Sequence, residues 1–158
     1  MFAYATDFNG NITNWDVSNV TDFESMLKST SFNQDIGGWD ISSATDIQEM
    51  LDNTPFNQDI GGWDTSKVTN MNEMFDDNEV FNQDIGGWDT SMVENMNQMF
   101  EDAIAFNQDI SGWDTSNMTN MNMMFRRATA FNQDIGAWNT TNLIQASTMF
   151  EGATAFNQ

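Results

Sequence analysis

Apolar side chains return to the same places every 24 or 25 residues along this chain. From Phe56 onward they stand at Phe56, Ile60, Trp63, Val68, Met71, Met74 and Phe75, and Phe81 starts the series again. A fixed period of this length marks a solenoid, in which each coil buries its apolar face only against its neighbours. Counted from the Met of each Met-Phe or Met-Leu pair, full coils begin at Met1, Met26, Met50, Met74, Met99 and Met124, with a partial coil from Met149. Residues 1–158 therefore read as one array. It opens and closes in mid-unit without a polar cap, which predicts either a fragment of a longer array or ends that stack on other copies.

Two patterns alternate within a coil. Ile60, Trp63 and Thr65 have the spacing that leads a leucine-rich repeat into its short strand, as do Ile12/Trp15/Val17, Ile36/Trp39/Ile41 and Ile85/Trp88/Thr90. Strand alternation puts Trp63 and Thr65 inside and Gly62, Asp64 and Ser66 outside. After Ser66 the spacing changes: Val68, Met71, Met74 and Phe75 form the stripe of a short helix, with Thr69 as its N-cap. Thr21 with Glu24, and Thr45 with Gln48, read as capping boxes. The expected fold is a leucine-rich-repeat-like α/β solenoid of six coils, each with one short parallel strand and one short helix, about 30 Å long. An all-β rung stays open beside it, because a seven-residue stripe is too short to separate the two.

Stacking turns each position into a column. Trp15, Trp39, Trp63, Trp88, Trp113 and Trp138 predict an internal structural ladder, flanked by Ile, Phe and Met columns. The 13 methionines follow the helical stripe, so they read as core filling rather than as a soft-metal surface.

Charge narrows the partners. Four Lys and Arg stand against 24 acids, a formal charge of −20. Such a surface repels nucleic acid and anionic membrane, both of which need a basic footprint. No apolar run has the length of a membrane helix. Without His or Cys, the commonest general base and any thiolate nucleophile are missing. Near-identical coils also give near-identical environments, where an active site needs one asymmetric constellation. The chain reads as a non-enzyme.

Two acidic columns are the candidate sites. Asp16, Asp40, Asp64, Asp89 and Asp114, with Ser66, Ser91 and Ser116 beside them, form an interaction face on the outer side. Asp35, Asp59, Asp84, Asp109 and Asp134 form the second column. At the ~4.8 Å spacing of paired strands, neighbouring carboxylates repel by roughly 0.9 kcal/mol even in water. Backbone N–H groups can offset this locally through Asx turns, with Asn and Gln columns forming amide ladders. The alternative is Ca²⁺ held between coils by the second column, although no recognised calcium-loop spacing is present. No other cofactor is implied. Ice binding is a minor reading of the Thr65, Thr90, Thr115 and Thr140 column, weakened by its inward orientation.

The unit Phe-Asn-Gln-Asp-Ile-x-x-Trp-Asp-Thr-Ser-x-Val-Thr-Asn-Met-x-x-Met-Phe, best seen at 81–105 and 106–130, resembles the repeat of the BspA-like leucine-rich-repeat surface proteins. The resemblance spans nearly the whole chain; Gly10-Asn11 in the first coil and Asn139-Thr140-Thr141 in the last depart from it. It implies an extracellular or cell-surface module for adhesion to protein or glycan ligands, and it carries no catalytic residues. A subunit that polymerises with copies of itself through uncapped coils is the alternative function.

Overall fold

The computed structural model describes all residues 1–158, and it corrects the expected secondary structure. The chain contains no helix, and its only β-pairing is a set of isolated parallel bridges linking Asp22, Asp46, Asn70, Asn95, Asn120 and Gln145 in succession. A leucine-rich-repeat-like α/β solenoid, with a strand and a helix in each coil, is therefore not what this sequence forms. Coils of 24–25 residues still lie one on the next, but they are built from turns.

The strand expected at Ile60–Thr65 is a turn closed by the Trp63 N–H on the Ile60 carbonyl, 3.2 Å. A second turn closes from Val68 N–H to Thr65 C=O, 2.9 Å. The stretch expected as a helix is a ribbon of turns: Met74 N–H bonds Met71 C=O, and Asn78 N–H bonds Phe75 C=O. In a helix the Phe75 amide would reach Met71. Here it leaves the segment and bonds the Met99 carbonyl of the following coil at 3.0 Å. Alternate amides do the same, Met71 to Asn95, Glu73 to Asn97 and Asp77 to Glu101, each at 2.9 Å. The ribbon repeats every four residues, so its inward positions Met71, Met74, Phe75 and Asn78 mimic a helical stripe. All four are fully buried. The apparent capping boxes serve these turns as well. Thr45 donates its hydroxyl to the Thr21 carbonyl, and it is Asp46 that accepts from the Gln48 amide.

Turning amides outward requires left-handed backbone. Glu73 and Asp77 both have φ of 53°, and the two columns they belong to contain twelve non-glycine residues with positive φ. Each costs about 1 kcal/mol. Every one except Thr148, in the last coil, donates its N–H to a carbonyl of the following coil. The strain is thus offset by the bond that joins coil to coil.

At the Phe-Asn-Gln corner the rings of Phe32, Phe56, Phe81, Phe106 and Phe131 stack with centroids 6.1–6.4 Å apart. Asparagine side chains join the coils here. The Asn82 amide donates to Asn57 Oδ1 at 3.0 Å, and Asn107 to Asn82 and Asn132 to Asn107 at 2.9 Å. The Gln83 carboxamide adds a second donor to the same Asn57 oxygen.

The core is the aromatic stack. Phe75 lies 4.0 Å from Phe81 in its own coil and 5.5 Å from Phe100 in the next. Trp63 and Trp88 stack at 6.3 Å, and Trp88 donates Nε1–H to the Ile60 carbonyl at 3.1 Å. Trp39, Trp63, Trp113 and Trp138 make the equivalent bond to Ile12, Ile36, Ile85 and Ile110. Trp15, at the start of the ladder, is 41% exposed.

Candidate functional site

The outer acidic column is a row of pre-set turns. Asp16, Asp40, Asp64, Asp89 and Asp114 are exposed, and each presents Oδ1 to the amide of Ser18, Ser42, Ser66, Ser91 or Ser116 at 2.9–3.1 Å. Hydrogen bonds from these serines, side chain first and backbone second, hold Asp16, Asp40, Asp64 and Asp114 below the usual carboxylate range. All five carboxylates are fixed in direction by their turns. Asn139 and Asn11 make the same turn, to Thr141 and Thr13, with an uncharged side chain. Beside this column, a Cβ built on Gly38, Gly62, Gly87 or Gly112 meets nothing within 4 Å, so the face between acids is open.

The second column has the same local chemistry. Asp35, Asp59, Asp84, Asp109 and Asp134 accept from the amides of Gly37, Gly61, Gly86, Ser111 and Gly136 at 2.9–3.0 Å. A Cβ at Gly61 would lie 2.5 Å from the Asp84 carbonyl oxygen, which explains why small residues follow these acids where coils approach. One oxygen of each Asp considered for calcium is thus committed to its own turn. A third Asx turn stands at the bridge position, for example Asn70 to the Asn72 amide at 3.2 Å. Thr65, Thr90 and Thr115 are buried, their hydroxyls donated to the Asp89, Asp114 and Asn139 carbonyls. No hydroxyl of these three faces outward to order ice.

Sequence reasoning missed the column that concentrates charge most strongly: Lys28, Asp52, Asp76, Glu101, Arg126 and Glu151, each directly after the Leu or Phe of the coil-opening pair. Three of the chain's four cations gather here, Lys28 and Arg126 in the column and Arg127 beside it. Lys28 pairs with Glu49 at 2.6 Å and Asp52 at 2.5 Å, with Glu73 at 3.8 Å. Burial opposes the ammonium, yet the bonds it donates to Asp52 and Glu49 raise its pKa above the ordinary value. Arg126 pairs with Glu101 at 2.5 Å, while Arg127 reaches Glu101 at 3.1 Å and clasps both oxygens of Asp102. Asp76 lies between these groups with no cation. Burial, then the charges of Glu101, Asp52, Asp77 and Glu73, push it up to about 8. Burial also carries Asp52 to about 6 against the pull of Lys28. The signal available in the sequence was the clustering of rare cations in one aligned column, which a search for invariant acids passes over.

A family described as "Mycoplasma protein of unknown function, DUF285" matches residues 1–60 and 51–158. The chain belongs to this family. No curated protein and no solved structure matches it. The DUF285 match covers every coil described above, and its description assigns no activity. No helix is long and apolar enough to cross a membrane.

Proposed function

We propose that the chain is a non-catalytic display module of the cell surface, used for adhesion or protein–protein contact through its outer acidic face. The observation that carries this reading is the repetition of one exposed, oriented carboxylate per coil at Asp40, Asp64, Asp89 and Asp114, with open glycine positions between. Such a row suits an extended basic segment of a partner protein, whose charges would meet carboxylates already held in place. The likeness of the repeat to BspA-like surface proteins supports the surface location; the leucine-rich-repeat architecture that goes with that name does not enter the proposal.

Two triple variants of equal charge test it. Asp64→Asn, Asp89→Asn and Asp114→Asn keep the turns, as Asn139 does, and should weaken retention of a lysine-rich peptide about tenfold with the thermal midpoint nearly unchanged. Asp59→Asn, Asp84→Asn and Asp109→Asn should weaken it far less. Equal losses would mean that net charge alone attracts the peptide, against a defined face.

End-to-end stacking of copies is a second reading, favoured by the apolar end surfaces. The first coil has a depression of about 290 Å³ lined by Met1, Trp15, Val17, Val20, Phe23 and Met26. At the other end Ile135, Leu143, Met149 and Phe150 are only partly buried, whereas Ile110, Met118, Met124 and Phe125 in the same columns are fully buried. Further coils or a second copy would cover these faces equally well. Light scattering that grows with concentration would favour the second copy.

A further inference from the structure

The asparagine corner repeats one arrangement in every coil and departs from it once. Asn9 Oδ1 accepts from the Asn33 amide and from the Gln34 carboxamide, both at 3.0 Å. Asn33, Asn57, Asn82, Asn107 and Asn132 each accept from the same two donors of the next coil at 2.9–3.2 Å. Those five are followed by Gln34, Gln58, Gln83, Gln108 and Gln133, whereas Asn9 is followed by Gly10, the only Asn-Gly pair in the chain. Asn9 is exposed, its Nδ2 donates no hydrogen bond, and the Gly10 amide has no acceptor. A carbonyl polarised by two N–H donors therefore stands next to a free main-chain nitrogen whose residue has no Cβ to shield it.

We propose that Asn9 deamidates in the folded chain through a succinimide, with the Asn33 N–H and the Gln34 Nε2–H as donors to its carboxamide oxygen. The Gly10 nitrogen adds to Asn9 Cγ, and negative charge develops on Oδ1, where both donors already point. The Gly10 nitrogen gives its proton to solvent, and Nδ2 takes up a proton and leaves as ammonia. Water then opens the ring at either carbonyl, giving aspartate or isoaspartate. One water is consumed and one ammonia released, with no redox change. Glycine at position 10 leaves the nitrogen unshielded and the backbone free to swing onto the side chain; glutamine hinders both in the other coils. The aspartyl product keeps the two donors and adds a charge to an otherwise neutral column. The isoaspartyl product adds a methylene to the main chain between Phe8, stacked on Phe2 at 3.8 Å and Phe32 at 6.1 Å, and the buried Ile12. Either product marks the first coil alone and does not depend on the role of the outer acidic face.

Peptide mapping by mass spectrometry tests the site in the whole chain, aged at mildly alkaline pH with its fold followed by near-UV circular dichroism. A one-dalton gain at Asn9, split between aspartyl and isoaspartyl peptides, is the expected result, with Asn33, Asn57, Asn82, Asn107 and Asn132 unchanged. Gly10→Gln, which restores the pair of the other coils, should abolish the gain. Gln34→Ala keeps the Asn-Gly pair but removes one donor, and should slow the gain several-fold in the folded chain. A gain that appears only after unfolding in urea would show that the coil protects Asn9. An unchanged rate in Gln34→Ala would remove the donors from the reaction. Either result overturns the proposal.

Discussion

Replacing Trp88 by alanine should lower the thermal midpoint by about 10 °C or more. The ring is 3% exposed, stacks on Trp63 at 6.3 Å and lies 6.3 Å from Phe75. Its removal leaves a cavity, worth about 3–5 kcal/mol for a buried Trp, and takes from the Ile60 carbonyl one of its two donors, leaving the Trp63 N–H. Against a total stability of about 5–15 kcal/mol, that is a large fraction. At about 2–4 °C per kcal/mol for a chain of this size, the shift is easily read by calorimetry. The effect is amplified because each coil rests only on its neighbours, so weakening one coil divides the stack. Trp88→Phe separates the two contributions: it keeps much of the ring, loses the N–H, and should cost clearly less. A midpoint unchanged by Trp88→Ala would remove the Trp column from the core.

In EDTA, stability should rise as pH falls from 8 to about 5, the reverse of the usual acid response. Asp76 is pushed up to about 8 and Asp52 to about 6 in the folded chain, against about 4 when unfolded. Between those values the folded state binds a proton that the unfolded state lacks, so stability falls as pH rises. The slope from Asp76 is at most about 1.4 kcal/mol per pH unit, reduced by its partial exposure. Below about pH 4 the sign reverses. Glu49, held low first by its bond from Lys28, and Asp16, Asp40, Asp64, Asp109 and Asp114, held low by their serines, then lose their contribution. A stability maximum on the acid side, moved toward neutrality by Asp76→Asn, is the expected result. Chemical denaturation across pH 3–9 measures it; a maximum already near pH 8 in the native chain would contradict the charged column.

The columns of Trp, Ile and Phe were legible in the sequence because periodicity reports stacking directly, whatever the backbone does between. The inward placing of Trp63 and Thr65 and the outward placing of Asp64 were legible for the same reason, although turns rather than a strand produce them. The backbone itself was not. Over Val68 to Phe75, spacings of 3.6 and 4 residues coincide, and the left-handed positions that separate them are held by Glu73 and Asp77 rather than glycine. Of the thirteen positive-φ residues only Gly152 announces itself. The Asx turns under both acidic columns could be anticipated from residue type. The Lys28-to-Glu151 column was harder to see, since its members differ in sign and act only across coils, and only the alignment of rare cations marks it.

The central claim is that Met71 to Asp77 bonds forward to the next coil instead of winding into a helix. Scalar couplings across hydrogen bonds, measured by NMR on labelled protein, detect each donor and acceptor directly. Correlations from the amides of Met71, Glu73 and Phe75 to the carbonyls of Asn95, Asn97 and Met99 are the predicted result. Correlations from Phe75 to Met71, and from Met74 to Asn70, would show a helix and contradict the account.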